Sequence, residues 1–394
     1  MKNIIIIVSE LTGGGAERVA TNLATCLAER DNVTLVVEYI GENTYGSTVR
    51  TVDLKMPRNK GKLKIFWHLK LTVKLKKIKN KLGVTHSISF LTEPSFSNVL
   101  SKRKDKVIVS VRNKLSVNRN ILFRAKEKWV FHKADSIVSL SEMVRYDLIH
   151  EFQANEEKVT TIYNPCYVET IKEKIREGDM SIEERRFFDE NPGKIVLTAG
   201  RLVDQKGHWH LIRAFTEVLK KIPDAKLLIL GQGENEGYLQ ELISKLKMND
   251  NVILNGYKSN PYPYMNEADI FVFPSIFEGL GNILVECMAC ELPIISSDCQ
   301  YGPKELLDPG SDYLTAVKDI TIGGYGILVP PMDGIKYSAM DPLVDSECKL
   351  AEAVVLLLND KGMQTKFKKK MKERRKDFNP NKITNQWTNL IESL

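Results

Sequence analysis

Read from its first residue, the chain alternates a strand-length apolar run, a loop and a helical stretch, and it does so in two series separated by one interruption. This alternation constrains the fold more than any other feature, because strands joined through helices run parallel and need helices on both faces of their sheet. Strands are expected at Asn3 to Val8, Val33 to Tyr39, His86 to Phe90, Val107 to Val111, Ser136 to Leu140 and Val159 to Ile162. The pattern breaks over residues 164–193, where Asn164-Pro165, a mixed-charge helical stretch from Glu169 to Asp189, and Asn191-Pro192-Gly193 read as a hinge. It resumes with Lys194 to Ala199, Ala225 to Leu230, Val252 to Leu254, Asp269 to Pro274, Leu292 to Ser297 and Gly326 to Val329. At 394 residues the chain exceeds the roughly 250–300 at which one core stops growing, so two domains are expected. The reading is an α/β protein of two doubly wound domains, residues 1–168 and 193–378, joined by a linker at 169–192 and facing each other across a cleft.

Several classes are excluded early. An apolar content of 43% with 27% charged residues is that of a globular chain, not a disordered one. The aliphatic run Ile4 to Val8 is far shorter than the ~20 residues of a membrane-spanning helix, and a cytoplasmic protein is expected. Six cysteines do not form a disulfide framework in a chain this long. Cys287 and Cys290 make the one close pair, but they share a helical face in an apolar stretch and read as small buried hydrophobes. His208 and His210, two apart on a helix, do not face one another and are not expected to hold metal.

Charge is unevenly spread. Residues 1–190 carry 33 Lys and Arg against 24 Asp and Glu, and the remainder 24 against 26, so the net +7 originates in the first half. It is densest from Lys55 to Lys81, with eleven basic residues, no acid, and interleaved apolar residues including Phe66, Leu69, Leu71, Val73 and Leu75. Such a basic amphipathic helix suits an anionic membrane surface; a solvated helix that also covers the sheet explains the same residues. No nucleic-acid reading motif accompanies it.

Three loops carry the chemistry. Gly13-Gly14-Gly15-Ala16-Glu17-Arg18 follows the first strand and opens a helix, where unobstructed backbone amides suit a phosphate or a closely approaching sugar; a tight strand-to-helix turn needs the same glycines. Neither a dinucleotide fingerprint nor a P-loop is present. In the second half, Gly200-Arg201-Leu202 ends a strand and Lys206-Gly207 opens the next helix, placing two cations where doubly wound sheets bind ligands and where a diphosphate would be neutralised; surface solvation of both is the alternative. Glu278-Gly279-Leu280-Gly281-Asn282 leads into a helix bearing Glu286, so that two carboxylates able to accept from hydroxyls, and two glycine amides, border one cleft. Gly231-Gln232-Gly233-Glu234 faces the same edge.

In their order and spacing these residues, together with Asn164-Pro165 and the E-x7-E pair Glu278 and Glu286, resemble glycosyltransferase family 4, retaining nucleotide-sugar transferases of GT-B fold with two Rossmann-like domains. The resemblance spans nearly the whole chain. It implies that Arg201 and Lys206 bind the donor diphosphate, Glu278 the donor sugar hydroxyls and Glu286 the ribose, with the backbone of Gly279, Leu280, Gly281 and Asn282 on sugar and phosphates. Gly200, Gly231 and Gly233 would border the donor, and Gly14 and Gly15 would approach its phosphate and the acceptor from the first domain. A last helix within 379–394 would return to that domain. Many relatives carry a His near position 112, where this chain reads Arg112-Asn113; either residue is a candidate acceptor or sugar contact, with a salt bridge or a turn as the alternative for Arg112.

The implied chemistry is charge stabilisation. Breaking the sugar-phosphate bond leaves an oxocarbenium-like sugar and a more negative diphosphate, which Arg201, Lys206 and loop amides hold without metal or other cofactor. The chain has no Asp-x-Asp pair. The co-substrate expected is a nucleotide sugar, UDP being the expected nucleotide. The acceptor expected is a polyprenyl-diphosphate-linked saccharide, met at the inner membrane face through residues 55–82 in capsule, exopolysaccharide or O-antigen assembly. A non-hydrolysing UDP-sugar 2-epimerase and a non-catalytic sugar-nucleotide scaffold are the alternatives. The stretch Pro309 to Gly324 has no assignment.

Overall fold

The computed structural model describes residues 1–11, 15–41, 48–57, 64–116, 118–178, 180–299 and 301–394. The chain forms two units, one of Met1–Pro165 with Pro380–Leu394 and one of Cys166–Asn379.

The first unit runs β1 (Asn3–Val8), α1 (Gly15–Leu27), β2 (Asn32–Val37), β3 (Arg50–Asp53), α2 (Lys64–Lys81), β4 (His86–Phe90), α3 (Thr92–Leu100), β5 (Lys106–Val111), α4 (Ile121–Lys133), β6 (Ser136–Ser139), α5 (Glu142–His150) and β7 (Val159–Thr161). Its seven strands are parallel in the order β3-β2-β1-β4-β5-β6-β7. The unbroken isoleucine run of β1 follows from this, because alternate residues face opposite sides and both sides are covered. Ile4, Ile6 and Val8 pack with Ala20, Leu23 and Leu27 of α1, whereas Ile5 and Ile7 pack with Leu71 and Leu75 of α2. The final helix, Pro380–Ser393, adds Ile383, Trp387 and Ile391 to the α1 side.

Three details depart from the sequence reading. β3 is an additional edge strand. Residues 58–63 of the basic segment lie outside the described residues, and α2 begins at Lys64. Lys79, grouped with the solvated or membrane-facing cations, is instead buried, its Nζ 2.7 Å from Asp105 Oδ2. Burial lowers the Lys79 pKa to about 8 despite that partner.

In the second unit, residues 169–192, read as a linker, form two helices that are part of it, α6 (Val168–Glu177) and α7 (Ile182–Glu190). The sheet then builds through β8 (Ile195–Ala199), α8 (His208–Lys221), β9 (Lys226–Leu230), α9 (Glu236–Lys245), β10 (Val252–Leu254), α10 (Tyr262–Glu267), β11 (Ile270–Phe273), α11 (Asn282–Ala289) and β12 (Ile294–Ser297). It finishes with α12 (Pro303–Leu307), β13 (Thr321–Ile322), β14 (Ile327–Val329), α13 (Asp345–Asn359) and α14 (Lys361–Arg374), after which the chain returns to the first unit as α15, the final helix. The strand order is β10-β9-β8-β11-β12-β14-β13, with β13 antiparallel at the edge. The unassigned stretch 309–324 therefore supplies an edge strand, and its backbone is tied down where Val317 N donates to Asp298 Oδ2 at 2.8 Å.

Strand order reverses between β8 and β11, and ligands of open parallel sheets bind outside the carboxyl ends of strands at such a point.

Candidate active site

The loops leaving β8, β9 and β11 are laced together by backbone at that point. Gly200 N donates to Leu230 O at 2.9 Å and Leu202 N to Gln232 O at 2.9 Å. A Cβ at Gly231 would lie 1.9 Å from Gly200 O, so two peptide planes meet where a side chain would stand. On the other side, Ile276 N donates to Gln205 O and Gln205 Nε2 to Phe277 O, both at 2.9 Å.

This lacing sets the charged groups. Lys206 closes a short 3-10 turn, Asp204–Lys206, and its stem lies against Gly200. Its Nζ is 2.6 Å from Glu278 Oε1 and 5.1 Å from the centroid of Phe273. Glu278 is 8% exposed. Arg201 is exposed at the same edge and has no ion-pair partner among the described residues. The next residue after the Lys206-Gly207 pair, His208, is fully enclosed, and burial followed by the Lys206 charge pushes its pKa down to about 3, so it is neutral. His210 belongs elsewhere, its Nδ1 2.8 Å from the buried Glu347.

Gly279 and Leu280 are buried, and α11 starts at Asn282 behind Gly281, whose φ of +84° is a left-handed conformation open to glycine. Gly281, at the N-cap position, makes no side-chain capping bond. Glu286, one turn in, is half-buried and accepts a 3.4 Å hydrogen bond from Tyr262 Oη. Gly233 is exposed beside Leu202. The second unit thus gathers Arg201, Lys206 and Glu278 with the Gly200, Gly231 and Gly233 turns on one sheet edge, and Glu286 on the helix that leaves it.

Sequence reasoning missed the braces of this edge. Glu184 of α7 accepts from Asn255 Nδ2, Tyr264 Oη and Lys258 Nζ, each at 2.8 Å. Burial pushes its carboxyl up, but those donors and Ser181 N outweigh burial and hold it at about 2. Ser181 and Glu184 also form a capping box, a spacing visible in the sequence as Ser-x-x-Glu. Lys304 Nζ lies 3.3 Å from Asp298 Oδ2, within the segment Ser297 to Glu305.

Of the first-unit candidates, Gly14 lies outside the described residues and Gly15 is exposed at the start of α1. Asn113 is exposed. Arg112 follows β5 directly and is 5% exposed. It makes no salt bridge among the described residues; Nη1 donates to Asn164 Oδ1 at 2.9 Å, and the guanidinium lies 4.7 Å from the centroid of Phe90. Its buried Nε and Nη2 have no hydrogen-bond partner among the described residues, and burial lowers its pKa to about 9. Arg112 borders a cavity of about 260 Å³ with Ser9, Glu10, Glu17, Glu93 and Asn113. Burial, and Glu10 nearby, raise the Glu17 carboxyl above its usual range against a backbone hydrogen bond that lowers it. Among the described residues no His, Cys, Asp and Glu cluster has the arrangement of a metal site.

The model described as Glycosyltransferase Family 4 matches residues 13–169, and that described as Glycosyl transferases group 1 matches residues 181–321. An uncharacterized glycosyltransferase of Methanocaldococcus jannaschii is 33% identical over 269 residues, which is 67% of this chain and 65% of that protein. The N-acetylgalactosamine-N,N'-diacetylbacillosaminyl-diphospho-undecaprenol 4-alpha-N-acetylgalactosaminyltransferase of Campylobacter jejuni is 28% identical over 97% of each chain. HepE of Anabaena, solved in complex with UDP, has the same fold, with a TM-score of 0.76 at 16% identity over the full length of both chains. The first unit answers to one model and most of the second to the other, and the chain belongs to the family 4 glycosyltransferases, enzymes of GT-B fold.

Proposed function

We propose that this glycosyltransferase moves a sugar, with retention of configuration, from a UDP-sugar to a polyprenyl-diphosphate-linked saccharide during assembly of a bacterial cell-surface polysaccharide. The observation that carries the reading is the Lys206–Glu278 pair at the strand-order reversal, with Arg201 exposed beside it. Two cations and one carboxylate on one edge match a ligand with an anionic half and a hydroxylated half. In this proposal the donor diphosphate draws Lys206 Nζ and Arg201, and Glu278, relieved of its lysine, accepts from the sugar hydroxyls. Glu286 accepts from the ribose, and amides of Gly279 to Asn282 meet sugar and phosphate. Gly200, Gly231 and Gly233 border the donor, the last two letting the loops after β8 and β9 meet, while Gly14 and Gly15 open the first unit's helix.

As the bond to the leaving diphosphate lengthens, negative charge grows where Arg201 and Lys206 are held, which is the preorganised stabilisation that lowers such barriers. The departing phosphate takes the acceptor hydroxyl proton on the same face, without metal. Arg112, whose Nε and Nη2 have no hydrogen-bond partner among the described residues, and Asn113 contact the acceptor or its sugar. The Campylobacter relative's own name specifies an undecaprenol-linked acceptor, which supports the lipid-linked class. No helix among the described residues is long and apolar enough to cross a membrane. The proposed location is the cytoplasmic side of the cell membrane, reached through residues 55–82.

A nucleotide-release assay with UDP-, GDP- and dTDP-sugars, with and without polyprenyl-diphosphate saccharides and with EDTA throughout, tests this. Release of UDP only with acceptor is the expected result. Conversion of the donor without acceptor would instead make it an epimerase, and binding without turnover a scaffold.

A further inference from the structure

Large apolar side chains more than half exposed are few in the first unit: apart from Met1 they are Phe66, Leu69, Val73, Ile121 and Leu122 among the described residues. They are not scattered. Phe66, Leu69 and Val73 are spaced i, i+3 and i+7 along α2, one stripe opposite the Leu71 and Leu75 face that enters the core. Ile121 and Leu122 are the first two residues of α4, whose start is fixed by Asn120 Oδ1 accepting from Phe123 N at 3.0 Å.

The two groups share a face. The strand order takes β3 to β4, β4 to β5 and β5 to β6 in one direction, so right-handed crossovers put α2, α3 and α4 on the same side of the sheet. Ring contacts follow them across it, His68 to Phe96 at 5.1 Å and Phe96 to Trp129 at 5.7 Å. Because the strands are parallel, the helices start at the same sheet edge, where Gly15 opens α1 and Arg112 follows β5. The two stretches that carry the apolar groups are basic, and acids of neighbouring elements are paired with them, Glu93 of α3 lying 3.1 Å from His68 and Glu151 2.9 Å from Arg124. No acid occurs from Lys55 to Lys81, and none from Arg112 to Lys126, a stretch with five Lys and Arg. Lys70, Lys77 and Arg119 are exposed, whereas Lys74 is half-buried with Nζ on Leu54 O.

We propose that the exposed stripe of α2 and the start of α4 form one docking face for an anionic bilayer. Ile121, Leu122 and the α2 stripe enter the interfacial layer, and Lys70, Lys77 and Arg119 meet the headgroups. This rests on the lipid-linked acceptor reading and deepens it: the basic segment supplies attraction, and α4 supplies a second, apolar anchor on the rim where a saccharide on a lipid would be presented.

The test is flotation of the full chain with vesicles containing phosphatidylglycerol and with pure phosphatidylcholine vesicles, alongside UDP release on an acceptor bearing a short, water-soluble prenyl chain. Native protein is expected to float with the anionic vesicles only. Ile121→Asp with Leu122→Asp is expected to lower that partition about tenfold or more with turnover on the soluble acceptor unchanged. Ile121→Ser with Leu122→Ser, at an unchanged melting temperature, should lower it too and guards against misfolding as the cause. Native-like flotation of both double variants, or failure of native protein to float with anionic vesicles, overturns the proposal. Flotation that depends on Ile121 and Leu122 in a protein that transfers no sugar would uphold the docking face and sink the functional reading instead.

Discussion

Lys206 Nζ and Glu278 Oε1 are 2.6 Å apart, although 72 residues separate them in the chain and they stand at the ends of two different strands, β8 and β11. Each neutralises the other without ligand, so the edge holds its charges ready without leaving a buried one uncompensated. Lys206→Met and Glu278→Gln should each lower kcat by about 10²–10³. Because the two act as a unit, the double variant should fall far short of the product of the single losses. Steady-state kinetics of the four proteins decide it, and strict multiplicativity would count against the pairing.

Arg112 is the opposite case, a buried cation whose Nε and Nη2 have no hydrogen-bond partner among the described residues. Replacing an uncompensated buried charge by an apolar side chain of similar size relieves its desolvation. Arg112→Met should leave the melting temperature unchanged or raise it by a few degrees, while KM for the acceptor rises about tenfold or more. A marked drop in melting temperature would show that the guanidinium is structural.

Glu184 has its folded-state pKa held at about 2, below its ordinary 4.5. A carboxyl depressed on folding contributes stability above its unfolded pKa and loses it as pH falls through the folded value. Native protein should therefore lose on the order of 1 kcal/mol more stability between pH 5 and pH 2 than Glu184→Gln, a figure reduced for partial exposure. Urea unfolding across that range measures the difference, and parallel curves for the two proteins would remove Glu184 from the acid response.

Two glycines give a contrast within one unit. Gly231→Ala should destabilise by about 2 kcal/mol or more and abolish donor binding, because its Cβ would lie 1.9 Å from Gly200 O. Gly237→Ala, early in α9 with nothing within 4 Å, should stabilise by about 0.5–1 kcal/mol. Denaturation midpoints and donor-induced thermal shifts separate the two.

The parallel sheets were legible because a strand covered on both faces, such as β1 or β8, is an unbroken aliphatic run. The strands β3, with the sequence Arg-Thr-Val-Asp, and the two-residue β13 carry no such run, since edge strands bury little and pair on one side. Lys206 and Glu278 could be singled out by residue type after a strand end, but their contact depends on Gln205 bridging two loops, which no local spacing records. The helices α6 and α7 looked like a linker for the same reason. Their charged surface is visible in sequence, whereas the partners of Glu184 lie more than 70 residues away. Arg112 stood out by position alone; its isolation arises from Phe90 and Asn164, on other elements.

The α1 side of the first unit's core is completed by Ile383, Trp387 and Ile391, and Lys2 Nζ donates to Ile391 O at 2.6 Å. That side of the sheet cannot close while the chain is still emerging from the ribosome, however early β1 to β7 are synthesised. The unit made first is consequently the unit finished last, and until α15 docks, Phe90 lacks the Trp387 ring that stacks on it and the α1 side of the core lacks Ile383 and Ile391. A polypeptide ending between Asn379 and Ile383 would hold all of the second unit and still lack the helix that completes the apolar α1 side of the first.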